Sequence, residues 1–283
     1  MKKTVTIGML SYNRPLFLAN SIPQIFEKAG YDFKFILWDN NCNDETKLVE
    51  TALAEKHGFE VVMNSENIGL QGLPNLVNLM DTDYYVLVED DMIYFPENWL
   101  KDLVVAFETT PELEEGDSKK DAEWGVLATM CYVDEVNNGG MWPERWGNAV
   151  EYKKDGIRYI GHVNAAGGAM IMRTDLAKKY ITTEMRFFTR GIESFIKRFE
   201  ENGYLLAHVH DICIYHAASP FYNQLYREPW AAKQEGGTIE EGFKAFEKMG
   251  DFNFKDNDWI LTLLKNGLFE EYVKKLKPLE IKL

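Results

Sequence analysis

The chain has 283 residues, 46% of them hydrophobic and 27% charged, which is enough apolar material to bury the core of one large domain or two small ones. Lys and Arg number 31 against 45 Asp and Glu, and the resulting net charge of −14 argues against a broad phosphate-backbone footprint for DNA or RNA, though not against a local basic groove. Cys42, Cys131 and Cys213 are widely spaced with no CxxC pair, which disfavours a disulfide framework or a structural zinc site and points to a reducing, cytoplasmic setting.

The amino-terminal stretch reaches Ser11, Asn13, Arg14 and Pro15 before a signal-like apolar run builds up, and no run approaches transmembrane length, so a soluble chain is expected. Val5 to Leu10 reads as a strand, followed by the turn Ser11-Tyr12-Asn13-Arg14-Pro15. Pro15 suits a first helical turn, and Leu16, Leu18, Ile22, Ile25 and Phe26 make a helical stripe. Phe33 to Trp38 is a second strand ending in Asp39-Asn40-Asn41. Asp44 is the expected cap of a helix from Glu45 to His57, which Gly58 terminates. Phe59 to Met63 is a third strand, and the loop Asn64 to Gly72 leads to a helix around Pro74 to Met80. Strands alternating with helices imply parallel βαβ units. Both the G-x-G-x-x-G fingerprint and the G-x-x-x-x-G-K-[ST] loop are missing, so neither hydride transfer nor a P-loop has a motif behind it.

The next strand, Tyr84-Tyr85-Val86-Leu87-Val88, runs directly into Glu89, Asp90 and Asp91. An apolar strand of this kind is buried, and burial carries the acids to the carboxyl edge of the sheet, where open α/β folds bind ligands. Glu89 and Asp91 alternate and share a face. Like charges this close stay ionised only beside a cation or donors, and all-oxygen acidic ligation suits Mg²⁺ or Mn²⁺. A solvated acidic turn capping the following helix is the competing reading of the same residues.

The second half is less regular. Pro96 to Thr109 is an expected helix, Pro111 to Glu123 a charged surface loop and Gly125 to Tyr132 a strand. Asn137 to Asp155 reads as a substrate-facing loop whose Trp142 and Trp146 could stack on a ligand or simply pack. Asn164 to Arg173 places small residues before a strand, Ile192 to Asn202 is helical with Phe195, Ile196 and Phe199 on one side, and Leu205 to Tyr215 holds short strands leading to His216. Helices are expected over Thr238 to Met249 and Asp256 to Leu276.

Taken in order, T-I-G-M-L-S-Y-N-R-P, I-L-W-D-N-N-C-N-D-E-T, N-S-E-N-I-G-L-Q-G-L-P-N, V-L-V-E-D-D-M-I-Y-F-P-E-N-W-L, G-G-A-M-I-M-R, I-E-S-F-I-K-R-F-E-E-N-G-Y and H-D-I-C-I-Y-H resemble the successive motifs of inverting GT-A glycosyltransferases of family 2. They cover residues 4 to 216. The resemblance implies an α/β GT-A fold, with a Rossmann-like nucleotide-binding half, a mixed central sheet and a C-terminal helical extension. It divides the chain into a nucleotide-sugar-binding half (1–92), an acceptor-binding and catalytic half of the same domain (93–219) and the extension (220–283). That extension is left as a helical cap that could shape the acceptor cleft or a homodimer contact.

By the same resemblance, the turn Ser11, Asn13, Arg14 borders the nucleotide base, and Asp39 accepts a hydrogen bond from it, usually from uracil. Asn67 and Gly69 match the loop beside the nucleoside. Glu89 and Asp91 match the first and last acids of the D-x-D motif, Asp91 as direct ligand of Mn²⁺ or Mg²⁺, Glu89 as a contact to ribose or, through water, to the metal, and Asp90 between them on the donor-nucleotide side. His216 matches a histidine that completes the metal shell in many relatives, with His208 and His210 as competitors on one strand face. The implied base is Glu193, the only acid close to where the family carries its acidic pair, six residues ahead of the matching Arg198, and it stands one place later than that pattern. The implied partners are a nucleotide-sugar donor and an acceptor hydroxyl on a glycan, lipid, protein or modified nucleobase. The offset of Glu193 leaves two alternatives open: a retaining transferase, or a protein that binds nucleotide sugar without transferring it.

Overall fold

The computed structural model describes residues 2–109, 123–131, 150–161, 168–182, 191–216 and 266–275. The expected loop 111–122, Trp142, Trp146, the stretch 164–167 and the helix 238–249 lie outside the described residues. In chain order the structure has β1 (Val5–Ser11), α1 (Pro15–Lys28), β2 (Lys34–Asp39), α2 (Asp44–His57), β3 (Glu60–Met63), a 3₁₀ turn (Gly69–Gln71), α3 (Gly72–Asn78) and β4 (Tyr84–Glu89). There follow β5 (Met92–Tyr94), α4 (Trp99–Glu108), β6 (Trp124–Cys131), β7 (Val150–Lys154), β8 (Ile157–Gly161), β9 (Ala169–Arg173), α5 (Thr174–Tyr180), α6 (Gly191–Glu201), β10 (Leu205–His216) and α7 (Phe269–Val273).

One sheet organises the described residues, in the order β3-β2-β1-β4-β9-β6-β10-β8-β7, with β5 pairing to β10. Strands β1, β2, β3 and β4 are mutually parallel where they pair, as the βαβ alternation requires. Strand β9 then runs antiparallel between β4 and β6, so the sheet is mixed and continuous past residue 92. Its two faces bury separate apolar clusters. Ile7 and Met9 of β1 meet Leu18, Ile22 and Ile25 of α1 and Leu100, Leu103 and Val104 of α4 on one side. Tyr85 and Leu87 of β4 meet Leu76 and Val77 of α3 and Phe195, Ile196 and Phe199 of α6 on the other. The result is a helix–sheet–helix layering, with the parallel half ending in one row of carboxyl termini.

Several expected boundaries shift for identifiable reasons. Pro15 does begin α1, but Phe17 is buried in place of Leu16, which is only partly covered. The cap of α2 is Asn43 rather than Asp44: the Asn43 side chain accepts the Thr46 N–H at 2.9 Å and the Thr46 hydroxyl at 2.7 Å. Asp44 becomes the first helical residue, where its charge still favours the positive end of the helix dipole. Replacing Asn43 by alanine is expected to cost about 1 kcal/mol, read as a lower denaturant midpoint with unchanged slope. Gly58 ends the helix as expected, with φ 73° and its N–H donating to the Ala54 carbonyl at 2.8 Å.

Part of the expected substrate-facing loop is instead a hairpin, β7–β8. Its two connecting residues, Asp155 (φ 51°) and Gly156 (φ 82°), both take positive φ, as a two-residue type I′ hairpin turn requires. The expected short strands after Leu205 are one 12-residue strand, β10, whose register against β6 shifts between Val209 and Cys213. Of the C-terminal extension, α7 is described: Val273 is buried, and Lys28 Nζ of α1 lies 3.1 Å from Glu270 Oε1. No helix among the described residues is long and apolar enough to cross a membrane.

Candidate functional site

Register places the candidate residues on one edge. Ser11, the last residue of β1, pairs with Asp39, the last of β2, and Leu10 pairs with Glu89, the last of β4. Ser11 and Asp39 are fully buried, and Asp90 and Asp91 are each only 8% exposed. Asp90 and Asp91 therefore leave a buried strand with almost no access to bulk water, Glu89 before them stays partly exposed, and neighbouring groups must compensate the buried charge.

The compensation comes from both sides. Arg14 Nη1, in the turn after β1, lies 2.5 Å from Asp90 Oδ1 and 2.8 Å from Asp91 Oδ2. The Tyr12 backbone N–H adds a bond to Asp90 Oδ2 at 3.1 Å. From the other side, antiparallel pairing of β5 with β10 sets His216 against Met92, one residue past Asp91. His216 Nε2 then stands 3.3 Å from Asp91 Oδ1 and 3.9 Å from Glu89 Oε2. Candidate ligand atoms of Glu89, Asp91 and His216 all lie within 4.8 Å of one another.

These surroundings divide the acids. Burial, with Asp91 alongside, pushes Glu89 up to about 7, and burial likewise pushes Asp90 up to about 6 despite Arg14. Burial acts on Asp91 too, but Arg14 and His216 outweigh it and hold its carboxyl well below the usual range. Burial opposes the charge on His216 in turn, yet Asp91 and Glu89 raise it. Asp91 is thus the acid that keeps its charge. Among the described residues its buried Oδ1 meets no hydrogen-bond geometry, with His216 Nε2 beside it as an ion-pair partner. An ionised oxygen without a hydrogen bond, one further carboxylate and an imidazole form a donor set that fits a divalent cation.

Asp39 is held as an Asx turn, its Oδ1 accepting the Cys42 N–H at 2.6 Å, while Oδ2 is buried with no hydrogen-bond partner among the described residues. Asn13, in the left-handed region at φ 52°, bridges two loops: its Oδ1 accepts the Asn43 N–H at 2.7 Å and its own N–H donates to Cys42 Sγ at 3.3 Å. Asn67 Oδ1 accepts from Asn40 Nδ2 at 2.7 Å and from the Gly69 N–H at 2.9 Å, which ties that loop to the end of β2.

The competing histidines separate clearly. His208 is fully buried, its Nδ1 2.8 Å from the Thr129 carbonyl, and His210 Nδ1 is 3.0 Å from Asp211 Oδ1. Glu193 lies in the first turn of α6, and its side chain is outside the described residues. Two features escaped the sequence reading: the pairing of Arg14 with the acids, and buried Glu50, whose Oε1 accepts from the Cys42 thiol at 3.6 Å. Glu50 was visible as an acid four residues after Thr46 and three before Leu53, on the buried stripe of α2.

The model of the family described as glycosyl transferase family 2 matches residues 6–181, more than half of the chain. The chain belongs to glycosyl transferase family 2. Within the family it is similar to a processive diacylglycerol beta-glycosyltransferase of Mycoplasma genitalium, 24% identical over 215 residues. That match covers 66% of this chain and 56% of the relative, so the chain spans little more than half the relative's length. Among solved structures it resembles the mannosyltransferase PcManGT from Pyrobaculum calidifontis, in complex with GDP-Man and Mn²⁺, with a TM-score of 0.56 at 14% identity over 96% of this chain and 76% of that one. It also resembles S. aureus TarS 1–349 in complex with UDP, with a TM-score of 0.51 at 15% identity over 97% and 75% of the two chains. At these identities the likeness concerns the fold: the mixed sheet is that of the GT-A transferases.

Proposed function

We propose that this family 2 chain transfers a sugar from a nucleoside-diphosphate sugar, UDP-linked, to an acceptor hydroxyl with inversion at the anomeric carbon. The reading is carried by one observation, the meeting of Glu89, Asp91 and His216 beside the Ser11–Asp39 corner at the ends of β1, β2 and β4. It is supported by the solved relatives of the same fold, one described with GDP-Man and Mn²⁺ and another with UDP.

In this reading Asp39 accepts the ring N–H of the base, and Ser11 and Asn13 form the wall beside it. Asn67 and Gly69 close the nucleoside side. Asp90 holds the Tyr12–Arg14 turn against the acids and so acts on the donor through that turn. Asp91 and His216, with Glu89, are the residues that would hold a divalent cation, and imidazole in the set favours Mn²⁺ over Mg²⁺. When bound, the cation supplies the positive charge that offsets what builds up on the departing diphosphate oxygen. Glu193 takes the proton of the acceptor hydroxyl as its oxygen bonds to the anomeric carbon and the carbon–oxygen bond to the diphosphate breaks. Attack opposite the leaving group inverts the centre.

A thermal-shift screen of nucleoside diphosphates with and without Mn²⁺ tests the assignment. UDP is expected to raise the unfolding temperature by several degrees when Mn²⁺ is present and by much less without it, because only ligand bound to the folded state stabilises. Silence toward every nucleotide would defeat the donor site.

A further inference from the structure

Glu50 is a buried acid that the transfer reaction leaves unused. It sits mid-helix in α2 at 0% exposure, with Oε1 accepting from the Cys42 thiol at 3.6 Å and Oε2 buried without a hydrogen-bond partner among the described residues. Asp39, at the end of β2, is in the same condition: Oδ1 is satisfied by the Cys42 N–H and Oδ2 is buried without a hydrogen-bond partner among the described residues. Carboxylate oxygens of Asp39 and Glu50 and the Cys42 sulfur all lie within 4.8 Å of one another. Ser11 of β1 faces the same group, its Oγ 3.6 Å from Cys42 Sγ.

Two carboxyls buried this closely cannot both carry a charge. Asp39 is the better seat for it, because a backbone N–H points at its Oδ1 at short range, whereas Glu50 draws on the Ser11 hydroxyl and the weak Cys42 thiol. Burial, with repulsion from Asp39, pushes Glu50 up to about 8, so it carries a proton at neutral pH. Burial also pushes the Cys42 thiol up. An ion held by these three groups would need the thiolate, which this environment disfavours.

We propose that Glu50 is a positioning residue for the donor base: it keeps one proton between itself and Asp39, donates it toward Asp39 Oδ2, and so maintains Asp39 as an ionised acceptor. This rests on the reading above that Asp39 faces the base. A carboxylate oxygen has a second lone pair, so Asp39 still accepts from a ligand while bonded to Glu50. The pocket then selects a base whose ring nitrogen carries a hydrogen, such as uracil or guanine. It rejects cytosine, whose matching nitrogen is a bare acceptor facing an acceptor.

The test compares UDP, GDP and CDP by calorimetry, with Mn²⁺, on the wild type, Glu50→Gln and Glu50→Leu. The wild type is expected to prefer the better of UDP and GDP over CDP by at least about tenfold, the scale of one unpaired buried group. Glu50→Gln, which keeps a neutral N–H donor, retains that preference. Glu50→Leu strips Asp39 of its partner, and the preference collapses. A leucine variant that folds and discriminates like the wild type overturns the inference. A wild type that binds no nucleoside diphosphate sinks the donor-site reading instead.

Infrared spectra at neutral pH cover the case in which the leucine variant does not fold. A protonated-carboxyl band stronger in the wild type than in Glu50→Gln is expected, because Glu89 contributes to it in both, and identical spectra would refute the shared proton. Stability carries the same sign. Between Glu50's ordinary value of 4.5 and about 8 the folded chain keeps a proton that the unfolded chain releases, so wild-type stability falls as pH rises through that window. Glu50→Gln removes this part of the slope, while the contributions of Glu89 and Asp90 are common to both proteins.

Discussion

Asp91→Asn is expected to reduce kcat/KM by at least about a hundredfold, the usual cost of removing one group that stabilises charge in the transition state. The substitution preserves shape and removes the carboxylate that Arg14 and His216 keep ionised. Asp90 retains its own 2.5 Å contact with Arg14 and its bond from the Tyr12 N–H, so the turn after β1 stays anchored and the fold survives. The loss should therefore show in function: the Mn²⁺-dependent thermal response to UDP disappears, while the unfolding transition of the free protein remains cooperative. If Asp91→Asn kept both turnover and the metal-dependent response, the cation would have to be held elsewhere.

Glu193→Gln should lower kcat by roughly a thousandfold, within the range observed when a general base is lost. Affinity for UDP should stay within about threefold, because the residue is assigned to the acceptor's proton and not to the donor. Glutamine matches glutamate in size, so a merely structural role on α6 would leave the rate nearly intact. Full turnover by Glu193→Gln would remove it as base and reopen a retaining mechanism. A wild type that binds UDP and never transfers a sugar would instead favour a binding protein.

The parallel half of the fold was legible because local rules and tertiary demands agree there. The short run Tyr84–Val88, rich in aromatic and β-branched residues, favours a buried strand, and Pro15 and Gly58 mark a helix start and a helix stop. What escaped was set by long-range pairing or by side-chain competition. Asn43 and Asp44 are both good caps, and only the reach of the Asn43 oxygen to Thr46 decides between them. Strand β5 is three residues long and exists because β10 pairs with it, yet it delivers His216 to Asp91. The Arg14–Asp90 contact joins residues 76 apart, which the parallel pairing of β1 with β4 brings together. By contrast, the β7–β8 hairpin did carry a local signal, Asp155-Gly156, which the composition of the preceding loop obscured.

In the proposed mechanism the acids at the tip of β4 grip a divalent cation that also binds the donor's diphosphate. Anomalous diffraction from crystals grown with UDP and Mn²⁺ examines it directly. The expected map has a manganese peak in direct contact with Asp91, adjoining His216 and bridging to the diphosphate, with uracil against Asp39. A map with bound UDP but no metal peak near Asp91, and Arg14 still closed over Asp90 and Asp91, would contradict it.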